Sequence, residues 1–331
     1  MRVVITGGAG FLGSRLAEAL LQTGSLAGTD GEQVPIDEIV LFDQPDSMAR
    51  LLSVPAGAEA VGGDISDPTV AAALLGEGPV AVFHLASVVS GMGERDFDLA
   101  LRVNLDGARH LLESCRAHPH PVRLTTTSSL AVFGPASGDP VHDDSLVQPA
   151  TTYGMTKAML ELMINDYSRK GFLDGRAARL PTVIIRPGAP NAAASSAASA
   201  IFREPLAGTD YRLPLPEETV MAVASVESVI DNLIKLHELP GEAFEGRRTV
   251  TFPGVSATFA EMLEVLRDAV SADDLGSVTI DPDPAVQAIV ATWPTRVDGA
   301  RGVSLGLRPT DDLATTLSAY RVRYVAVRGI S

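Results

Sequence analysis

Cysteine and aromatic residues are scarce in this chain of 331 residues. Its one cysteine, Cys115, excludes a disulfide framework and favours a reducing compartment. Aromatic residues make up only 5% of the sequence, and no apolar run is long enough to cross a membrane. The start, "MRVVITGGAG", lacks the apolar segment of a secretion signal. These absences predict a cytoplasmic protein that has no membrane partner.

Positive charge is also in deficit, because 26 lysines and arginines face 41 acidic residues and the net charge is −15. A charge of this sign repels nucleic acids and anionic lipid surfaces, so neither is an expected partner. Only three of the cations are lysines, at positions 157, 170 and 235. We expect no metal site. The 46% hydrophobic content is sufficient for a large core.

Short apolar runs alternate with helical patterns along much of the chain. The runs "RVVIT", "IDEIVLFD", "AEAVGGDI", "VAVFHLAS" and "VRLTTTSS" predict five strands, and "PTVIIRPG" predicts a sixth. Such alternation is typical of an α/β fold, here a doubly wound parallel Rossmann sheet with a smaller C-terminal substrate-binding lobe. We expect residues 1–186 to bind a dinucleotide, with 219–253 returning to that domain. Residues 187–218 and 254–331 would then form the lobe.

The first strand leads into the glycine-rich segment "TGGAGFLG", which opens the first helix. Gly7 permits a tight turn, Gly10 lets a pyrophosphate approach the backbone, and Gly13 lets the helix pack closely on the strand. The amides at the helix start, around Phe11 and Leu12, would hold the phosphates. This context predicts a dinucleotide site.

Acidic residues follow the second and third predicted strands. Asp43 ends "IVLFD", where a carboxylate would accept hydrogen bonds from the ribose hydroxyls and repel a 2′-phosphate. The sequence therefore predicts NAD rather than NADP. Asp64 and Ile65, in "GGDISD", are expected at the adenine.

Tyr153 and Lys157 lie four residues apart in "YGMTK", so a helix would place both side chains on one face. Ser128 and Ser129 end the fifth strand and would lie at the same edge of the sheet. A nearby ammonium group favours the phenolate, which can take a proton from a substrate hydroxyl while a serine orients the same oxygen. We therefore predict that Tyr153, Lys157 and one of these serines are catalytic, and that the tyrosine and the serine also contact the substrate.

Several motifs together resemble the extended short-chain dehydrogenase/reductase family: "TGGAGFLG", "GDI", "HLAS", "NLDG", "SSLAVFG", "YGMTK" and "IIRPG". The resemblance implies that Ser129 is the catalytic serine, that Lys157 also holds the nicotinamide ribose and that two helices from each of two chains build a homodimer. It also implies cofactor contacts from Leu85, Ala86, Ser87, Asn104, Tyr153 and Pro187. Phe133 replaces the tyrosine that is usual in the "SSxxVYG" motif.

Within this family, "SSLAVFG" has Leu130 and Ala131 where dehydratases carry an Asp-Glu pair, which argues against dehydration. The segments "GMGERDFDLALRVNLDG", "RPGAPNAAASSAASAIFREPLAG" and "WPTR" resemble NAD-dependent dehydrogenases of a four-carbon aldonic acid. A uronate dehydrogenase and a nucleotide-sugar 4-epimerase remain as alternatives.

A small polyhydroxy acid needs a cation for its carboxylate and polar partners for its hydroxyls. Arg203 is the predicted carboxylate partner, with Asn191 and Ser195 before it and Ser87 on the other side. Arg186 directly follows an apolar strand, and we interpret it as structural.

Overall fold

The computed structural model describes residues 1–51, 54–188 and 194–325. The strands are β1 Arg2–Thr6, β2 Ser25–Ala27, β3 Gln33–Pro35, β4 Glu38–Asp43, β5 Ala58–Gly62, β6 Val80–His84, β7 Arg123–Ser129, β8 Asp174–Leu180, β9 Thr182–Ile184, β10 Tyr211–Leu213, β11 Val220–Ser225, β12 Thr249–Thr251, β13 Val255–Thr258 and β14 Val278–Ile280. The helices are α1 Phe11–Thr23, α2 Pro45–Ala49, α3 Pro68–Leu75, α4 Ser90–Arg95, α5 Phe97–Ala100, α6 Ala108–Ala117, α7 Thr152–Arg169, α8 Ala197–Leu206, α9 Val226–Glu238, α10 Phe259–Ala269, α11 Pro284–Val290, α12 Ala300–Ser304 and α13 Leu313–Tyr320. A π-helical segment, Leu101–Gly107, joins α5 to α6.

The central sheet of the described chain has seven strands in the order β12-β8-β7-β6-β1-β4-β5. All of its pairings are parallel. The strand order reverses between β1 and β6, so loops leave the carboxyl edge in opposite directions there and open a crevice. This is the predicted Rossmann-type α/β sheet.

Helices cover both faces of the sheet because successive residues of a strand point to opposite sides. In β1, Val3 and Ile5 pack with side chains of α1 and α9, including Leu16 and Leu233. Val4 packs on the other side, against α3, α6 and α7. Two apolar cores therefore hold the sheet rigid between two helical layers.

The prediction for the sixth central strand needs correction. The strand beside β7 is β8, which has the sequence "DGRAARL", whereas the predicted "PTVIIRPG" contributes β9 to a separate sheet with the order β13-β11-β9. The chain passes from β8 to β9 at Pro181, whose missing amide hydrogen interrupts the hydrogen-bonding ladder. β11 stays in the smaller sheet, and β12 joins the central one.

The smaller sheet and α8, α10 and α13 share an apolar core that includes Ile184, Phe202, Phe259, Met262 and Leu317. This lobe lies beside the carboxyl edge of the central sheet, since its strand β11 and the residues after α11 line the same cavity as the glycine-rich loop. Among the described residues no helix is long and apolar enough to cross a membrane.

Candidate active site

A cavity of about 860 Å³ runs along the carboxyl edge of the central sheet. Its lining includes most residues that the sequence assigned to the site: Gly7, Gly10, Phe11, Leu12, Gly13, Asp43, Asp64, Ile65, Leu85, Ala86, Ser87, Ser129, Tyr153, Lys157 and Ser195. The lobe adds Met221, Ala222, Val290 and Trp293. Asn191 lies outside the described residues.

The glycine-rich loop forms one end of the cavity. Gly7 has a φ of +74°, and a Cβ on it would lie 2.8 Å from the amide nitrogen of Ala86. A Cβ on Gly13 would lie 2.4 Å from the Gly7 carbonyl oxygen, so only glycine lets α1 begin this close to β1. Gly10 is the N-cap of α1 and supplies no side chain. The open helix start therefore suits the pyrophosphate of a dinucleotide.

Asp43 lies at the end of β4, beside this loop. Its carboxylate accepts hydrogen bonds from the backbone amides of Ala9, at 3.2 Å, and Gln44, at 2.8 Å. Burial raises the pKa of Asp43, whereas these hydrogen bonds lower it. The fixed carboxylate lines the cavity where a ribose attached to the pyrophosphate would lie.

Replacing Asp43 with serine is expected to lower the preference for NAD over NADP by about 10- to 100-fold, because hydrogen bonds to a charged group contribute about 1.5–3 kcal/mol. Arg50 also lines this end of the cavity and would attract a 2′-phosphate once the carboxylate is gone. The ratio of kcat/KM for the two cofactors measures the effect. Asp46→Asn, in the adjacent exposed α2, is the matched control, and an unchanged ratio in Asp43→Ser would refute the assignment.

The loop after β5 is where the sequence predicts the adenine. Ile65 is buried, and Asp64 is exposed and accepts hydrogen bonds from the Ser66 amide and hydroxyl at 2.9 and 2.7 Å. Both residues line the cavity.

Asn104 has a different position from the predicted one. It does not line the cavity; instead its side-chain amide binds the Val88 backbone at 2.7 and 3.1 Å and the Thr156 hydroxyl at 3.2 Å. It lies in the π-helical segment. Asn104 thus holds the loop residue Val88 in place, and its contact with a cofactor stays a prediction.

Ser129, Tyr153 and Lys157 meet near the middle of the cavity. The Lys157 ammonium donates to the Thr127 carbonyl at 2.7 Å and lies 5.6 Å from the centre of the Tyr153 ring. Burial raises the pKa of Tyr153 to about 12, while a hydrogen bond from Ser129 and the charge of Arg186 act to lower it. Burial lowers the pKa of Lys157 to about 8. A base, a cation and a hydroxyl therefore share one partly dry space.

His84 lies behind this group at the end of β6. It is buried, and its Nδ1 is 2.7 Å from the Thr6 hydroxyl. Burial and the neighbouring Lys157 lower the pKa of His84 to about 3, so the imidazole is neutral at physiological pH. His84 does not line the cavity, whereas Tyr153 does, and Tyr153 stays the predicted base.

The two arginines of the substrate segment exchange their predicted positions. Arg186 lines the cavity, and its guanidinium donates to the Ser195 hydroxyl at 3.2 Å. Arg203 does not line it: it is buried, donates to the Arg186 carbonyl at 3.0 Å and pairs with Glu204 at 2.6 Å. Of the two arginines, Arg186 is therefore the one that reaches the cavity, and Arg203 supports its backbone. Pro187 does not line the cavity.

Other lining residues had no distinct signal in the sequence. Val220, Met221 and Val290 are apolar residues that line the cavity, and ordinary core residues look the same in sequence. In the described part of the chain, no group of three or more histidine, cysteine or acidic side chains has the arrangement of a metal site.

The NAD dependent epimerase/dehydratase family matches residues 3–221 of the chain. This chain belongs to that family. D-erythronate dehydrogenase of Cupriavidus necator is 44% identical over 97% of this chain and 98% of its own length. The D-erythronate dehydrogenase of Haemophilus influenzae is 38% identical over 97% and 98%. A nucleoside-diphosphate-sugar epimerase structure from Agrobacterium tumefaciens is also similar, with a TM-score of 0.88 and 35% identity over 98% of this chain and 95% of the other.

Membership of the epimerase/dehydratase family agrees with the geometry of the cofactor end. The matched range ends at Met221, so it covers the glycine loop, Asp43, Ser129, Tyr153 and the substrate segment that begins at Arg186. The family includes more than one reaction, and the side chains at the other end of the cavity must distinguish among them.

Proposed function

We propose that this protein is an NAD-dependent dehydrogenase that oxidises a small aldonic acid, D-erythronate to 2-dehydro-D-erythronate. The observation that carries the proposal is the meeting of Ser129, Tyr153, Lys157 and Arg186 in one cavity. Two relatives that cover nearly the whole chain are named D-erythronate dehydrogenase, which supports an NAD-dependent oxidoreductase with this substrate.

In this mechanism Ser129 donates a hydrogen bond to the oxygen of the substrate alcohol, and the Tyr153 phenolate takes its proton. The C–H bond at the same carbon breaks with its electron pair, and a carbonyl group forms. The glycine loop and Asp43 would hold NAD, whose nicotinamide ring would be the acceptor for that hydride. Lys157 favours the phenolate by its charge. The products are an oxo acid, NADH and a proton.

Arg186 determines which hydroxyl reacts in this proposal. Arg186 and Tyr153 line the same cavity, and the charge of each group acts on the pKa of the other. In the proposal Arg186 binds the carboxylate, and Tyr153 faces the hydroxyl on the adjacent carbon of a 2-hydroxy acid. Burial lowers the pKa of Arg186, and an anionic ligand would offset the cost of keeping this group charged in the cavity.

A panel of D-erythronate, other aldonates and uronates, assayed by NADH absorbance, tests the proposal. Reduction of NAD with the four-carbon acid supports it, and a clear preference for uronates would favour the uronate dehydrogenase alternative. The similar epimerase structure makes a nucleotide-sugar 4-epimerase the second candidate. That enzyme would retain NAD on purification and convert UDP-sugars with no net NADH.

We also propose that a second copy of the chain covers one face of α7. Leu162 and Met159 on this helix are 72% and 38% exposed, and Phe97, on the adjoining α5, is 52% exposed. Burying such side chains in a dimer would be favourable, since each contributes about 1.5–3 kcal/mol when fully covered.

Leu162→Glu is expected to convert this dimer to monomers, because the partner would have to bury an unpaired carboxylate. Light scattering at micromolar concentration measures the mass. Val322→Glu, at a position that is 71% exposed elsewhere on the described chain, is the matched control. A wild-type protein that is monomeric contradicts the proposal.

A further inference from the structure

Three side chains on one face of α7 lead from the reaction centre into the protein interior. Tyr153, Lys157 and Glu161 are spaced by four residues, so they occupy successive turns of the helix. Lys157 is 3% exposed and Glu161 is 5% exposed. Glu161 does not line the cavity, and no step of the proposed mechanism uses it.

The Glu161 carboxylate is held by two strands. Ser128 of β7 donates to Oε1 at 2.5 Å, and Arg179 of β8 donates to Oε1 and Oε2 at 2.9 and 2.8 Å. Ser128 and Arg179 are direct partners in the β7–β8 register, so both reach the carboxylate from the same side of the sheet. The Arg179 guanidinium stacks on the Phe133 ring at 4.8 Å.

These contacts fix α7 against the end of β7, where the reacting groups meet. Three consecutive residues of β7 serve in turn: the Thr127 carbonyl accepts from Lys157, the Ser128 side chain binds Glu161, and the Ser129 side chain faces Tyr153. A one-residue shift of this strand would break all three contacts together. The Glu161 cluster, defined as Glu161, Ser128 and Arg179, therefore sets the register between serine, tyrosine and lysine.

The cluster also sets the charge around Lys157. Two groups on its own helix, Tyr153 and Glu161, face this ammonium, as does the neutral His84 of β6. Arg179 of β8 is paired to Glu161. The charge of Arg186 acts on Tyr153. Glu161 is the group that raises the pKa of Lys157 against the effect of burial. Without it, the buried Lys157 ammonium would lose the charge that opposes its desolvation, and Arg179 would lose its ion-pair partner.

We propose that Glu161, clamped by Ser128 and Arg179, is a positioning residue that keeps Lys157 protonated and in register with Ser129 and Tyr153. The proposal rests on the proposed function for the catalytic role of Lys157. Glu161 itself reaches neither substrate nor cofactor, and it acts through the lysine.

The chain has only three lysines, so the titration of Lys157 can be measured directly. Lysine labelled with ¹³C at Cε is incorporated, and the Lys157 signal is assigned by removing the other two with Lys170→Arg and Lys235→Arg. The midpoint of its pH titration is then measured in wild type, in Glu161→Gln and in the double variant Glu161→Gln/Arg179→Met. The double variant removes both charges and so avoids leaving Arg179 buried and unpaired. Asp166→Asn, on the outer side of the same helix, is the matched control.

We expect the Lys157 midpoint to fall by about one pH unit or more in both Glu161 variants and to stay constant in Asp166→Asn. The alkaline fall in kcat should move to lower pH by a similar amount, with the KM for NAD nearly unchanged. A folded Glu161 variant with the wild-type midpoint would overturn the proposal. Failure of both Glu161 variants to fold would also overturn the proposal, because it would show that Glu161 and Arg179 act only on the stability of the fold. The titration needs no substrate, so a wild-type protein inactive on all aldonates would reject the proposed function and leave this measurement valid.

Discussion

Tyr153→Phe is expected to lower kcat for aldonate oxidation by about 10²- to 10⁴-fold, the usual contribution of a positioned acid or base. The phenyl ring fills the same space but cannot take the proton of the substrate hydroxyl. Since Tyr153 is one of several residues lining the cavity, the dissociation constant for NAD should change little. Steady-state kinetics and a separate titration with NAD measure the two quantities.

The matched control for this variant is Tyr167→Phe, on the same helix. Tyr167 donates its hydroxyl to Glu113 and does not line the cavity, so its loss should leave kcat unchanged. Equal kcat values for wild type and Tyr153→Phe would show that the tyrosine is not the base, and this result would contradict the proposed mechanism.

The wild-type rate should also depend on pH in a defined direction. The phenolate is the reactive form, and burial raises the pKa of Tyr153 to about 12 in the protein alone. Oxidation should therefore speed up as the pH rises, until Lys157, with a pKa lowered to about 8, loses the charge that favours the phenolate. Bound NAD, which adds positive charge near both groups, would lower both pKa values and move the profile to lower pH.

Arg186→Met is expected to lower kcat/KM for the aldonate by about 10²- to 10³-fold, because truncating one partner of a buried charge pair costs about 2–5 kcal/mol. The effect should depend on the carboxylate of the substrate. Erythritol has the same number of carbons and no carboxylate, so any weak activity on it should be nearly equal in wild type and Arg186→Met.

Arg203→Met is the control that separates the two arginines. Arg203 supports the Arg186 carbonyl from outside the cavity, so its loss should lower the melting temperature more than it lowers kcat/KM. Arg186→Lys keeps a charge but not the planar fork, and it should retain part of the affinity. A larger fall in kcat/KM in Arg203→Met than in Arg186→Met would indicate that Arg203 binds the carboxylate, as the sequence predicts.

Short sequence patterns were enough to predict those features of the site that depend only on residues close together in the chain. The tight turn at Gly7, the close approach at Gly13 and the shared face of Tyr153 and Lys157 each follow from a few consecutive positions. Such features are fixed by backbone sterics or by helical spacing, so one sequence is enough to place them.

Features that depend on distant partners could not be placed in this way. β8 reads as a polar segment, "DGRAARL", because it carries two arginines and an aspartate. Those arginines are buried with distant partners: Arg176 donates to the Leu239 carbonyl, and Arg179 pairs with Glu161 on α7. Likewise, Arg186 and Arg203 lie on the same segment, and only the packing of α8 on the lobe determines which of them faces the cavity.

The break at Pro181 has a consequence for how this protein can diversify. Arg179, two residues before it, fixes the lysine side of the reaction centre, whereas Arg186, five residues after it, belongs to the side that meets the substrate. The proline ends one ladder and lets the next residues join a different sheet. In the proposed mechanism, the arginine that fixes the lysine therefore lies in a strand of the central sheet and the arginine that meets the substrate follows a strand of the smaller sheet, so the smaller sheet can change in sequence without altering the strand that carries Arg179.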